Sequence, residues 1–285
     1  MTKKKVRNIL IGCALVLIAM CVGIFSLYEP EKHESVKAMM KDAVLHDENR
    51  INFFGIAEVD PSLVSGYIVT AFLLIVALLI RIFAIPKFKD VPGKFQMLIE
   101  TWVGVFDGLA KGNSPHRNKA LGAYLFTAGT YIFTGTMFEL FGVQGITTAG
   151  HSISLPAPLA NINGAMSMGI FSYLFILSGG IAANKLAGVG KTLKEFSLPV
   201  SMTFRLFGAL LSGMLTTELV YYYITLSFVL PAIVGVLFTV LHALIQAYVL
   251  TMLTSFYYGE VSEIHEKKPR VKKKKVKKQK AAEAV

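Results

Sequence analysis

Three features of this 285-residue sequence point to an all-α polytopic membrane protein. About six membrane helices, including a tilted C-terminal helical hairpin, are expected, with one further amphipathic helix on the membrane surface. First, 54% of the residues are hydrophobic and only 16% charged, at a mean hydropathy of +0.56; soluble domains hold roughly 45–50% apolar and about 25% charged residues. Second, the apolar residues gather into runs of about 20, enough to cross a hydrocarbon core. Third, lysines and arginines fall in alternate loops between those runs, which is how topology is set by the positive-inside rule.

The first run lies near 7–28, in "VRNILIGCALVLIAMCVGIFSLY" after Lys3, Lys4 and Lys5. It is long for a signal peptide and no small-x-small cleavage site follows, so an uncleaved signal anchor is expected. Both cysteines, Cys13 and Cys21, sit inside it, which leaves neither a disulfide framework nor a metal site. The segment 29–61 follows on the outer side and shows no motif. Further spans are expected near 62–85, 121–143 and 165–187. The apolar region from about 196 to 258 is too long for one span and holds Pro231 near its middle. It reads as two helices, near 197–227 and 230–258, each long enough to require strong tilt.

Between the second and third spans, "VPGKFQMLIETWVGVFDGLA" spaces Phe95, Leu98, Ile99, Trp102, Val103 and Phe106 along one helical side. This is expected to be the surface helix, with Trp102 at headgroup level. Lys87, Lys89, Lys94, Lys111, Arg117 and Lys119, then Lys185, Lys191 and Lys194, fall on the side of the N-terminus. Six crossings return the C-terminus there too, so both termini are expected in the cytoplasm. The chain divides into 1–61 (anchor and outer segment), 62–262 (core) and 263–285 (basic tail).

The formal charge is +11, but the run Lys267–Lys280 holds 10 of the 29 Lys and Arg, leaving 19 against 18 acidic residues. A nucleic-acid partner is therefore not expected; the tail is solvated or touches anionic lipid. "GVGKT" at 188–192 ends like a phosphate loop, but the position that needs the first glycine is Lys185. No inverted repeat of broken helices marks a self-contained carrier.

Arg205, in "SMTFRLFGALLSG", is the sharpest feature. An arginine at the centre of a span costs about 2.5–3.5 kcal/mol on insertion scales. Ser201, Gly208 and Ser212 share its face, a strip of small residues that lets another helix approach closely. On the last helix Thr239, His242, Gln246 and Thr254 form a second polar strip, and Gln246 is able to hold a guanidinium by hydrogen bonds. Glu139 and Glu218 are the remaining intramembrane acids, each a candidate for function by default.

"SLPVSMTFRLFGALLSG" followed by "LIQAYVLTMLTSFYYGE" resembles subunit a of F-type ATP synthases, whose arginine stands in "RLFGN" and whose glutamine stands in "LQAY" or a close variant. "VPGKFQMLIETWVGVFDGL" resembles that family's surface helix and "FTGTMFELFGV" its third core segment, so the likeness spans about residues 60–262. The resemblance implies a stator subunit in a bacterial cell (inner) membrane. Two half-channels would pass protons or sodium ions to and from a ring of c subunits, with Arg205 facing the ring carboxylate and Gln246 assisting. It implies b subunits and the rest of the synthase as partners, no catalytic site of its own, and no cofactor or metal. The alternative is a stand-alone transporter or channel.

Three positions depart from the family's pattern. Ala209 replaces the asparagine of "RLFGN", Met214 a Glu or His, and Thr239 the Glu or His seven residues before the glutamine. Glu218 and His242, each one turn from a missing group, are expected to take over. With Arg205 and Gln246 taken as level, Glu218 and Glu139 would lie near a channel mouth and His242 deeper.

Overall fold

The computed structural model describes residues 51–53, 57–116, 118–148, 150, 152–222 and 230–263. The expected first span with Cys13 and Cys21, most of the outer segment and the basic tail lie outside the described residues. Seven helices build the described part: α1 (Pro61–Leu79), α2 (Lys94–Asn113), α3 (Asn118–Phe138), α4 (Ile162–Asn184), α5 (Leu186–Lys194), α6 (Ser197–Tyr222) and α7 (Leu230–Ser262). Two short antiparallel ribbons accompany them, β1 (Ile51–Phe53) with β2 (Ala57–Val59) and β3 (Gln144–Ile146) with β4 (Ser152–Ser154). With three residues per strand, they are too short to show a two-residue hydrophobic period in the sequence.

Helix ends follow local chemistry. Asp60 caps α1 by accepting from Ser62 N at 2.8 Å, and Pro61 occupies the first turn, where its missing N–H costs nothing. The second oxygen of Asp60 accepts from Asn161 Nδ2 at 2.8 Å, while Asn161 Oδ1 caps α4 by accepting from Asn163 N at 2.7 Å. One carboxylate thus ties two helix N-termini together. Past Leu79 the same rod continues as a π-helical turn (Ile80–Ala84) and a 3-10 turn around Pro86, ending at Lys87. A short 3-10 turn after α3 stops at Gly142 in the left-handed region (φ 56°), which glycine enters without penalty.

Helix α3 lies at the centre, against α7, α2 and α1, while α4 packs on α6, α7 and α5. In lipid such contacts come from close packing and polar bonds rather than from hydrophobic exclusion. A side chain at Gly129 would collide with the Phe106 ring, and one at Gly188 with the Gly180 carbonyl. Asn113 Nδ2 donates to Ser255 Oγ and Asn184 Nδ2 to the Val261 and Glu263 carbonyls, fastening the end of α7. The "GVGKT" stretch belongs to this packing: Thr192 is buried and donates to the Gly188 carbonyl.

Four described helical stretches are long and apolar enough to cross a membrane: Pro61–Lys87, Ile162–Asn184, Ser197–Thr216 and Ala232–Ser262. Helix α3 has 21 residues, but its Thr, Gly and Tyr content lowers its apolarity, and it is the helix other helices cover. With 33 residues α7 is about 50 Å long, well beyond a hydrocarbon core of about 30 Å, so it must tilt.

The amphipathic helix forms as expected, but Trp102 is a correction. Its indole N–H donates to Thr130 Oγ1 at 3.0 Å and its ring packs on Phe106 and Phe133 at centroid distances of 5.5 and 5.4 Å. Trp102 faces α3 instead of headgroups because the apolar stripe of α2 is wide enough for two uses. Trp102 and Phe106 pack inward, while Phe95, Leu98 and Val103 stay exposed.

Candidate functional site

Helices α6 and α7 carry most of the expected site residues. Gly213 lies against the His242 ring, where an added methyl would stand 3.1 Å from Nδ1. Further along, Leu206 and Leu210 pack with Ala247 and Leu250, so the two helices run antiparallel. Their register sets the relative depth of the polar groups. Arg205 lies on the exposed side of this pair and Gln246 on its buried side, so the two face different surroundings.

Arg205 is exposed, as are Ser201, Phe204, Gly208 and Ser212 on the same side of α6. The neighbouring exposed residues of α7 are apolar: Leu241, Leu244, Ile245 and Tyr248. Among the described residues Arg205 makes no hydrogen bond or ion pair, so it is not bonded to Gln246. An open apolar face therefore carries a single unpartnered guanidinium. Gly208 has open space where its side chain would be, with no atom of the bundle within 4 Å.

The opposite side of the same pair is closed. Gln246 is 5% exposed and among the described residues its Oε1 has no hydrogen-bond partner. Thr254, two turns on and fully buried, leaves its hydroxyl in the same condition. A buried amide oxygen without a donor is costly, and a water or an arriving group relieves it.

A small cavity of about 10 Å³, room for one water, lies between α3, α6 and α7. Glu139, Thr239 and His242 line it together with Thr136, Gly213, Met214 and Phe238. Three of the residues singled out from the sequence, drawn from segments 100 residues apart, thus meet at one point. Glu139 reaches it from the 3-10 turn that ends α3. His242 is held by ring contact with Phe238 at a centroid distance of 5.8 Å. Thr136 and Phe238 were not anticipated; Thr136 is three residues before Glu139, a spacing that shares a helix face. Glu218 stands one turn beyond Met214 on α6, and its side chain lies outside the described residues.

Among the described residues no three His, Cys, Asp or Glu side chains gather as a metal site would need. Residues 65–259 match the model of a family described as ATP synthase A chain. That stretch runs from the first turns of α1 almost to the end of α7 and contains every residue of the open face and of the cavity. With well over half of its length matched, the chain belongs to the ATP synthase A chain family and is a subunit of the synthase's membrane sector.

Proposed function

We propose that this chain is the ion-conducting stator of a bacterial ATP synthase. It passes protons or sodium ions through two half-channels to and from a rotating ring of c subunits, and has no catalytic site for ATP chemistry. The observation that carries the proposal is the lone Arg205 on an open apolar face. A guanidinium stays charged at any physiological pH, and against lipid it is costly. Covered by a partner that bears a carboxylate, it becomes a favourable charge-assisted contact.

Ser201, Gly208 and Ser212 let the ring's helices come close. Arg205 meets each ring carboxylate as it passes and stabilises its ionised form, so the carboxylate must release its ion on one side before it passes. The same positive charge repels a cation slipping directly between the half-channels. Each charge that slipped would dissipate about 2.3 kcal/mol per 100 mV. The Glu139, Thr239 and His242 cavity supplies one half-channel, with Glu218 next along α6. Gln246 offers its free carbonyl to water or to the guanidinium once the ring is docked.

The lysine-bearing loops support an orientation with both termini in the cytoplasm. The b subunits of the peripheral stalk and the remaining synthase subunits complete the assembly. The test is ATP-driven ion uptake by inverted vesicles carrying the intact complex, with proton and sodium signals read separately. Wild type pumps, and assembled Arg205→Ala does not. Normal pumping by the assembled variant would reduce Arg205 to a packing residue. Glu218→Gln is expected to slow uptake as well, and full activity would remove it from the path.

A further inference from the structure

A groove lined by none of the residues around Arg205 lies at the end of α1. It has a volume of about 800 Å³ and lies between the turns that follow α1 and the start of α2. Its walls include Leu79, Phe83, Ala84 and Phe95, and Lys87, Lys89 and Lys94 stand at its edge. The loop that closes it is held in place: Gln96 receives the Lys89 N–H at 3.1 Å and donates to the Lys89 carbonyl at 2.9 Å.

All three lysines are exposed, and none forms an ion pair among the described residues. The acids nearby in sequence are Asp90, exposed on the same loop, and Glu100, which receives a hydrogen bond from Gln96 at 2.7 Å. The groove's edge therefore keeps a net positive charge. Its walls are too apolar to suit a free phosphate, and its lysines have no use for a neutral lipid. The groove also lies at the end of a membrane span, Pro61–Lys87, where acyl chains give way to headgroups.

We propose that this groove binds one anionic phospholipid, with the phosphate among Lys87, Lys89 and Lys94 and an acyl chain along Leu79, Phe83 and Phe95. The lipid fills the bend between α1 and α2 and fixes the angle at which α2 leaves the span. The assignment is independent of the ion path.

The experiment uses the intact complex, reconstituted in phosphatidylcholine containing a minority of phosphatidylglycerol, washed in detergent and weighed by native mass spectrometry with bound lipid retained. Wild type is expected to hold phosphatidylglycerol in preference to phosphatidylcholine, by up to ~100-fold for three lysines at headgroup level. Two variants remove that preference by different means: the triple Lys87→Gln, Lys89→Gln, Lys94→Gln removes charge, and Ala84→Trp fills the groove with the charge intact. Neutralising Lys272, Lys273, Lys274 and Lys275 in the tail leaves it unchanged. Equal retention of both lipids by wild type overturns the proposal, as does undiminished phosphatidylglycerol in the groove variants or its loss in the tail variant. A photo-cross-linker at the exposed Val91 decides the matter in wild-type background if both groove variants fail to assemble: it labels lipid if the proposal holds, and another subunit if the groove is a protein interface.

Discussion

The α6–α7 pair has two sides that treat polar groups in opposite ways. On the open side stand Arg205 and its strip of Ser201, Gly208 and Ser212, beside the exposed leucines of α7. On the closed side Gln246 is buried, and His242, Thr239 and Glu139 share a cavity the size of a single water. In a soluble helix an exposed arginine is unremarkable because water solvates it. In a membrane helix the same exposure signals a face that a polar or charged partner must cover. The closed side needs no partner to exclude lipid, so its groups are arranged by this chain alone.

The largest expected effect breaks the open side. Arg205→Ala abolishes coupled ion uptake in vesicles, and Arg205→Lys fails to restore full activity because a compact ammonium lacks the planar fork that meets a carboxylate with two bonds. Full activity of the lysine variant would mean that only net charge is used there.

Next comes the closed side. Glu139→Gln and His242→Ala each slow uptake by at least ~100-fold, the low end for a lost proton-transfer group, while assembly with the ring is retained. Unchanged rates in both variants would make the cavity a packing detail and leave the pair with one functional side.

A smaller effect separates the two sides by stability. Gly213→Leu intrudes on His242 and is expected to cost about 1–3 kcal/mol, seen as a lowered thermal midpoint of the purified subunit in detergent. Gly208→Leu enters open space, leaves that midpoint unchanged and instead weakens retention of the ring. Equal destabilisation by both would show that α6 is covered on all sides. The smallest effect is Ala209→Asn, which restores the amide of the "RLFGN" pattern on α6 as a partner for the unsatisfied Gln246. A gain of about 0.6 kcal/mol, typical of an interhelical hydrogen bond in a membrane, should raise the midpoint slightly, and a fall would place Gln246 out of reach.

Much of this architecture is legible in the sequence. The spans expected near 62–85 and 165–187 appear at Pro61–Lys87 and Ile162–Asn184, and Pro231 falls in the first turn of α7. Such segments announce themselves because every backbone group in lipid must be bonded within its own helix. Trp102 was misplaced for the complementary reason. A period of 3.6 residues shows that α2 has an apolar side but not whether lipid or α3 covers it. The ribbons, at three residues per strand, carry no periodic signal at all.

The candidate site was legible in identity but not in arrangement. Arg205, Glu139, His242 and Gln246 stood out because polar groups in long apolar runs are rare and expensive. Nothing in the sequence showed that Glu139 would share a cavity with His242, or that Arg205 would be exposed where Gln246 is buried.

By itself the sequence determined which described segments are long, apolar helices, where most of them begin and stop, and which polar residues are held among apolar ones. Those outcomes follow from local hydrogen bonding and from transfer of each segment into lipid. Only the tertiary structure decided which side of α6 stays open, which acid meets which histidine, and where the lysines of the first loop border a groove. These depend on the rotation and axial offset of helices packed against one another, set by contacts such as Gly213 on His242 and Phe106 on Gly129 between residues remote in sequence.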